Sequence, residues 1–185
     1  RKGDVSTALS TLEAKPSDLH LFAPPTNNQL FEEPIPPTLL ETILGTLAPA
    51  IRSALEGDAL TALKKLKTLR VLAAHRQGPL GLYAINEVLA RGLCRIIPGL
   101  SPSTGPWLGQ PIMVRQNDAH LRLRNGQVGV LIRGDAGSSG LVAAFLDGEG
   151  CIRKIGVRRL PRFETMLCMT IHQSQGSQFD HAVLI

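Results

Sequence analysis

Apolar residues recur at intervals of three or four in the first half of the chain, a spacing typical of amphipathic helices. The pattern predicts four helices, over residues 1–14, 38–55, 59–67 and 82–95. Thr38 and Glu41 have the spacing of a capping box for the second helix, and Asp58 precedes the third as its N-cap. Prolines recur through residues 15–37, so we expect a surface connection there, with at most a short strand around residues 19–22.

A continuous apolar run at residues 69–74 predicts a short buried strand, which leads into a loop at residues 75–81 before the fourth helix. Further short strand-like runs, separated by turn signals, follow at residues 111–115, 127–133, 141–146 and 151–157. Together they predict a small antiparallel barrel inserted between two α/β pieces. Because a barrel of about fifty residues buries little apolar surface, we expect it to depend for stability on packing against the α/β pieces, its host.

Residues 163–185 place a polar centre between two apolar flanks. The approach, Met166–Met169, is too short to distinguish a helix from a strand, and we favour a helix that ends at Gly176 in the left-handed conformation. The exit, residues 182–185, is typical of a buried strand in a parallel sheet. Open α/β proteins bind ligands at such a sheet edge, and amides and hydroxyls suit phosphate and sugar groups better than proton chemistry.

Composition narrows the class of protein. Hydrophobic residues make up 43% and charged residues 19% of the 185 positions, which is typical of a soluble globular protein. No apolar run reaches the roughly eighteen residues of a membrane span, and no signal pattern is present, so we expect a cytoplasmic protein without a membrane partner. Three widely spaced cysteines argue against a disulfide framework, and Cys168 with His172 supplies only two potential ligands, so no metal site is expected.

The net charge of +5 favours a polyanionic partner. Because aromatic residues make up only 4% of the chain, a nucleic acid would be held by its backbone and sugars more than by stacking on rings. The best phosphate-contact candidates flank the predicted barrel: Arg115, Arg122, Arg124, Arg153, Lys154, Arg158, Arg159 and Arg162. The lysines at positions 64, 65 and 67 are better explained as the solvated face of a helix.

Three segments carry a resemblance to a known family. The run from Thr170 to Asp180, T-I-H-Q-S-Q-G-S-Q-F-D, resembles motif V of superfamily 1 DNA helicases, in the form found in RecD, the alpha chain of exodeoxyribonuclease V. The segment R-Q-G-P-L-G, beginning at Arg76, is similar to the motif IV region of the same family, and residues 109–129 resemble its SH3-like insert. Two departures are the neutral Gln173 and Gln178, where the family usually has Lys and Glu.

The resemblance implies an α/β fold. Residues 1–107 and 161–185 would form an incomplete second RecA-like motor domain, a parallel sheet with flanking helices, and residues 108–160 would form an inserted SH3-like antiparallel β-barrel. The chain contains no G-x-x-x-x-G-K-[ST] phosphate loop. We therefore expect it to be a C-terminal motor-domain segment of a longer enzyme and to be inactive on its own.

The resemblance further implies an ATP-dependent, 5′-to-3′ DNA helicase of an exodeoxyribonuclease V complex for DNA repair and recombination. ATP and Mg²⁺ would be its cofactors, and single-stranded DNA and the RecB and RecC subunits its partners. Arg76 would be catalytic, Arg76, Gly176 and Gln178 would bind ATP, and the DNA-binding residues would be Thr170, His172, Gln175, Asn117, Asn125 and Arg115. The alternatives are a non-catalytic interaction module and a stand-alone RecD-like or Pif1-like helicase.

Overall fold

The computed structural model of the protein describes residues 34–102, 105–134 and 140–185, together with the single residues 6, 10, 14 and 20. Residues 6, 10 and 14 are helical. The remainder of the helix predicted over residues 1–14 lies outside the described residues. So does the strand predicted around residues 19–22, except for His20, which is in neither a helix nor a strand.

The first described helix, α1 (Pro37–Leu55), continues through Pro49. The prediction of a capping box between Thr38 and Glu41 is wrong, because Pro36 is the N-cap and a proline occupies the first helical position. The ring of proline fixes φ near the helical value, and the N–H that proline lacks would be unpaired there in any residue. Thr38 therefore lies inside the first turn and cannot cap it.

A helix, a strand and a second helix follow at the predicted places. Helix α2 (Ala59–Lys65) begins after Asp58, whose carboxylate accepts a hydrogen bond of 3.0 Å from the backbone N–H of Thr61, as predicted. Strand β1 (Leu69–Ala73) is buried along its whole length. It leads through residues 74–81 into α3 (Leu82–Ile96), whose apolar stripe is buried against the core.

Three parallel strands form one sheet, and β1 is its central strand. Strands β7 (Cys168–Thr170) and β8 (His181–Leu184) both run parallel to β1. The prediction that a helix begins at Met166–Met169 is therefore wrong. In this segment only α4 (Ile171–Ser174) is helical, and it starts after the strand. The parallel direction of the exit strand is confirmed, but three of its four residues are exposed and not buried.

Five antiparallel strands form the second sheet: β2 (Pro111–Val114), β3 (Val128–Arg133), β4 (Leu141–Leu146), β5 (Ile152–Gly156) and β6 (Phe163–Thr165). The order β5-β4-β3-β2-β6 confirms the antiparallel arrangement, and a short 3₁₀ turn at Val157–Arg159 separates β5 from β6. The sheet is open and not the predicted closed barrel. Within the described part of the chain, its two edge strands, β5 and β6, do not pair with each other.

One face of the antiparallel sheet packs on the helices. Val130, Ile132 and Ala144 belong to the same buried core as α1, α2 and α3, whereas Ile112 and Phe145 belong to a separate core on the other face. The expectation that the inserted sheet leans on its host is therefore confirmed. Trp107, in the segment that connects α3 to β2, is also buried in the shared core.

Candidate functional site

Two functional segments meet at one edge of the parallel sheet. Ala73, at the carboxyl end of β1, lies beside Thr170, at the carboxyl end of β7. The loop after β1 and helix α4 therefore emerge at the same edge. Because ligands of open α/β sheets bind outside the carboxyl ends of the strands, this edge is the candidate site.

The loop after β1 has little conformational freedom. The backbone N–H of Leu82 donates to the carbonyl of His75 at 2.9 Å, which closes the loop at its base. Gly78 adopts a φ of 90°, a left-handed conformation that favours glycine. A Cβ added at Gly81 would lie 2.5 Å from the carbonyl oxygen of Gln77, so only glycine allows this close approach. These contacts fix the backbone that carries Arg76.

Arg76 has two partners in this structure. Its Nη1 donates to the hydroxyl of Tyr83 at 3.3 Å and lies 3.6 Å from Oε2 of Glu164. The hydrogen bond that Arg76 donates to Tyr83, the second residue of α3, is the main reason that the pKa of the guanidinium lies above its usual value, and the charge of Glu164 acts in the same direction. The side chain is 39% exposed, so the cation is held at the sheet edge and still accessible.

Glu164, in β6, gathers groups from separate parts of the chain. Its Oε1 lies 3.4 Å from Nε of Arg115 and accepts a hydrogen bond of 2.8 Å from Nε2 of Gln173. Together with Arg76 on Oε2, these groups form the Glu164 cluster: Glu164, Arg76, Arg115 and Gln173. The Glu164 side chain is 19% exposed. Sequence reasoning missed this residue, because a single glutamate in a short strand has no pattern that marks it.

Helix α4 is held by a reciprocal pair of hydrogen bonds. The Thr170 hydroxyl accepts from the backbone N–H of Gln173 at 3.3 Å, and Oε1 of Gln173 accepts from the backbone N–H of Thr170 at 2.7 Å. This is a capping box, which satisfies helix N–H groups that otherwise have no partner. Gln173 therefore bonds the helix start with its oxygen and Glu164 with its nitrogen. A lysine, which has donors only, could make just the second contact.

Asn86 joins α3 to the strand that ends at the site. Its Oδ1 accepts from the backbone N–H groups of Leu167 at 2.9 Å and Cys168 at 3.1 Å. Its Nδ2 donates to the carbonyls of Leu82 at 2.8 Å and Cys168 at 3.2 Å. The buried amide thus forms hydrogen bonds through both its oxygen and its nitrogen, and it sets the position of α3 relative to β7.

Cys168 is not available for chemistry in the folded protein. It lies in a strand and not on a helix with His172, and burial raises the pKa of its thiol to about 12. The thiol stays protonated at neutral pH, whereas nucleophilic attack and metal binding need the thiolate. Within the described ranges, no group of three or more His, Cys, Asp and Glu side chains could hold a metal ion.

The remaining predicted residues of motif V lie in an exposed segment around and after α4. Gly176 has a φ of 79° two residues beyond the helix, which confirms the predicted left-handed conformation. His172, Gln175 and Gln178 are exposed. Thr170 differs from them, since it is 8% exposed and its hydroxyl is used by the capping box. The structure therefore brings Arg76 and Arg115 into the Glu164 cluster and Thr170 next to it, and it leaves His172, Gln175, Gly176 and Gln178 outside it.

The antiparallel sheet presents a second group of polar residues. Asn117 and Asn125 are exposed and meet directly, since Oδ1 of Asn117 accepts from the backbone N–H of Asn125 at 2.7 Å. Arg153 donates to the carbonyls of Leu121 and Arg122 at 2.5 and 3.0 Å, so it holds a loop in place. The exposed phosphate-contact candidates are Arg122, Arg124, Lys154, Arg158, Arg159 and Arg162.

No helix in the described part of the chain combines the length and apolar character that crossing a membrane requires. No family model matches the chain. Among curated proteins, it is 37% identical over 155 residues to the "RecBCD enzyme subunit RecD" of Mycobacterium tuberculosis, which covers 83% of this chain and 26% of that protein.

Two further relatives carry the same name. The protein of Mycolicibacterium smegmatis is 33% identical over 186 residues, covering 100% of this chain and 30% of the relative. That of Haemophilus influenzae is 32% identical over 122 residues, covering 65% of this chain and 17% of the relative. The chain therefore spans less than a third of the length of the curated relatives that it matches.

Proposed function

The chain is a RecD-like segment, and we propose that it works as part of an ATP-dependent DNA helicase subunit, supplying one side of an ATP cleft and part of a track for single-stranded DNA. The observation that carries this proposal is the position of Arg76. It is a partly exposed cation on a rigid loop, at the carboxyl edge of a parallel sheet, directly beside the start of motif V. That placement suits a side chain that reaches a phosphate group.

Arg76 fits the γ-phosphate of ATP in both charge and geometry. A guanidinium presents N–H donors in a planar fork that matches the oxygens of a phosphate, and its positive charge persists at every working pH. Tyr83 bonds one end of this fork and leaves other N–H groups to face a ligand. Gly176 and Gln178 would lie against the nucleotide from the exposed segment after α4.

The cofactor of this reaction would be ATP with Mg²⁺, which supplies a phosphoryl group for transfer to water. This chain has no phosphate loop, so in this proposal that loop and the ligands of the magnesium belong to another part of the enzyme. The contribution of the present residues is the cation that stabilises charge on the phosphate. In this role Arg76 is an arginine finger.

We place single-stranded DNA on the other side of motif V. His172 and Gln175 are exposed on and after α4, where an imidazole and an amide can bond phosphate and sugar groups. The start of the same helix is bonded to the Glu164 cluster. Thr170 would act through the position of this helix, since its own hydroxyl is used in the cap. Asn117, Asn125 and Arg115 would extend the track over the inserted sheet.

The larger assembly follows from the relatives. Each of the three is named as a subunit of the RecBCD enzyme, so we propose RecB and RecC as partners and exodeoxyribonuclease V as the complex. Movement would be 5′-to-3′. We also propose that residues 1–107 and 161–185 belong to a RecA-like motor domain and residues 108–160 to an SH3-like insert. The second candidate, a non-catalytic interaction module, would need no catalytic arginine.

The decisive test is Arg76→Ala in the full-length protein that contains this chain. An arginine finger is worth about a thousandfold to a hundred-thousandfold in rate, so DNA-stimulated ATP turnover should fall by at least about a thousandfold. A partly exposed ion pair would change stability by about 0–1 kcal/mol and leave the rate unchanged. Arg76→Lys should restore little of the rate, because an ammonium keeps the charge but loses the planar fork.

The matched control is Arg91→Ala. Arg91 also pairs with a glutamate, Glu87, at 3.7 Å, but it lies on the outer face of α3 and is 64% exposed. This variant should turn over ATP at the parental rate. If Arg76→Ala stays within about tenfold of the parent, Arg76 is a surface residue and the proposed ATP site is wrong.

A further inference from the structure

Glu164 is the carboxylate that pairs with Arg76 at the sheet edge. The two side chains come from different parts of the fold. Arg76 lies in the loop after β1 of the parallel sheet, and Glu164 lies in β6 of the antiparallel sheet. A phosphate and a carboxylate both bind a guanidinium through anionic oxygens. The Glu164 carboxylate therefore occupies Arg76 with the same chemistry that a nucleotide phosphate would use.

We propose that Glu164 is a positioning residue that competes with the γ-phosphate for Arg76, holding the guanidinium at the sheet edge until nucleotide displaces it. This inference rests on the proposed function, because it assumes that Arg76 reaches the γ-phosphate. It adds a residue that the helicase motifs do not include, and it assigns the edge strand β6 of the antiparallel sheet a part in nucleotide binding.

Of the three groups that contact Glu164, Arg76 is the one that a nucleotide would most easily draw away. Arg76 has the longest of the three contacts, 3.6 Å, compared with 3.4 Å for Arg115 and 2.8 Å for Gln173. Arg76 is also more exposed, at 39%, than Glu164, at 19%. When Arg76 moves to a phosphate, Glu164 keeps a cation and an amide donor on its other oxygen. The carboxylate is therefore not left unpaired, so moving Arg76 from Glu164 to a phosphate costs little free energy.

The competition predicts the direction in which nucleotide affinity changes when Glu164 is replaced. Arg76 gives up its ion pair with Glu164 when it moves to the γ-phosphate, so removing the charge of Glu164 should tighten the binding of a nucleoside triphosphate. Partly exposed ion pairs are weak, and breaking one corresponds to about a two- to fivefold change in affinity. ADP lacks the γ-phosphate that Arg76 would contact, so its affinity should not change. A merely structural role for Glu164 would alter both nucleotides together.

The experiment measures the dissociation constants of a slowly hydrolysed ATP analogue and of ADP in the full-length protein. Glu164→Gln is the main variant, because its amide oxygen can still accept from Gln173 while the charge is lost. It should bind the ATP analogue about two- to fivefold more tightly and ADP unchanged. Glu164→Ala is a second variant and should give the same triphosphate-specific gain. In an Arg76→Ala background the gain should disappear for both.

Glu87→Gln is the matched control, since it removes a glutamate that pairs with an arginine outside the cluster. Its affinities for both nucleotides should equal those of the parent. The inference is overturned if the Glu164 variants bind the triphosphate no more tightly, if ADP gains equally, or if the gain persists without Arg76. A parent protein that binds no nucleotide would instead contradict the proposed function itself.

Discussion

Among single residues, Gln173 makes two separate kinds of contact with one side chain. Its side-chain oxygen bonds Thr170 at the start of α4, and its side-chain nitrogen bonds Glu164 at 2.8 Å. The helicase resemblance places a lysine at this position, which could retain only the Glu164 contact. Replacing Gln173 in steps therefore separates the two contacts.

We expect Gln173→Lys to lose the hydrogen bond that caps α4 but to keep the contact with Glu164. Gln173→Leu should lose both contacts. A helix cap is worth about 1 kcal/mol, so the local opening of α4 should become roughly fivefold easier in the lysine variant. The leucine variant should open still more easily. Hydrogen–deuterium exchange of the peptide that covers β7 and α4, in the full-length protein, measures this. The exposed neighbour Gln175→Leu is the control, and equal exchange in the lysine and leucine variants would mean that the Glu164 contact contributes nothing.

Local sequence patterns predicted some residues of the site and not others. Arg76 could be placed because it follows a buried strand, and strand, loop and helix all match within about a residue. Thr170 and Gln173 have the T-x-x-Q spacing of a capping box, and this local signal marks the start of α4. Thr38 and Glu41 have the same type of spacing, but a proline beside them takes the first helical position. Glu164 could not be predicted, because its partners come from distant parts of the chain.

At the scale of elements, the loop between β1 and α3 decides where Arg76 points. Gly81 donates from its N–H to the carbonyl of Gly78 at 3.0 Å and lies where a Cβ would meet backbone atoms of Arg76 and Gln77 at 2.5–2.8 Å. Backbone atoms cannot rotate away as a flexible side chain can. A substitution at Gly81 must therefore move the loop itself.

We expect Gly81→Ala to destabilise the full-length protein by about 1–3 kcal/mol, as overpacking does. ATP turnover should fall by about a hundredfold, because a shift of about 1 Å misplaces a catalytic group. The control is Gly45→Ala in α1, where an added Cβ meets nothing within 4 Å and Ala should stabilise the helix by roughly 0.5–1 kcal/mol. Thermal unfolding and turnover assays measure both. Parental values for Gly81→Ala would mean that the loop does not position Arg76.

The elements also mark where sequence patterns stop being sufficient. The strands of the antiparallel sheet could be located because alternating runs and Gly-containing turns are local signals. The four apolar residues Met166–Met169 fit a helix or a strand equally well. Pairing with β1, far away in the chain, selects the strand. In the same way, whether five strands close into a barrel depends on the contact between the first and last edges, which no local pattern encodes.

At the scale of the whole molecule, exposed basic residues lie on two different surfaces. The exposed Lys64 and Lys67 lie on and after α2, whereas the exposed Arg158 and Arg159 lie on the turn before β6, on the side of the antiparallel sheet. The proposed DNA track runs over motif V and this sheet. The arginine pair should therefore contact phosphates, and the lysine pair should face solvent.

The dependence of single-stranded DNA binding on salt distinguishes the two surfaces. Each phosphate contact contributes about 0.7 to the slope of log affinity against log salt concentration, because binding releases the counterion of that phosphate. Neutralising Arg158 and Arg159 to Gln in the full-length protein should lower the slope by about 1.4 and weaken binding at low salt across DNA sequences. Neutralising Lys64 and Lys67 to Gln removes the same charge and should leave the slope nearly unchanged, since distant charges are screened. A larger effect from the lysine pair would place the DNA on α2 and contradict the proposed track.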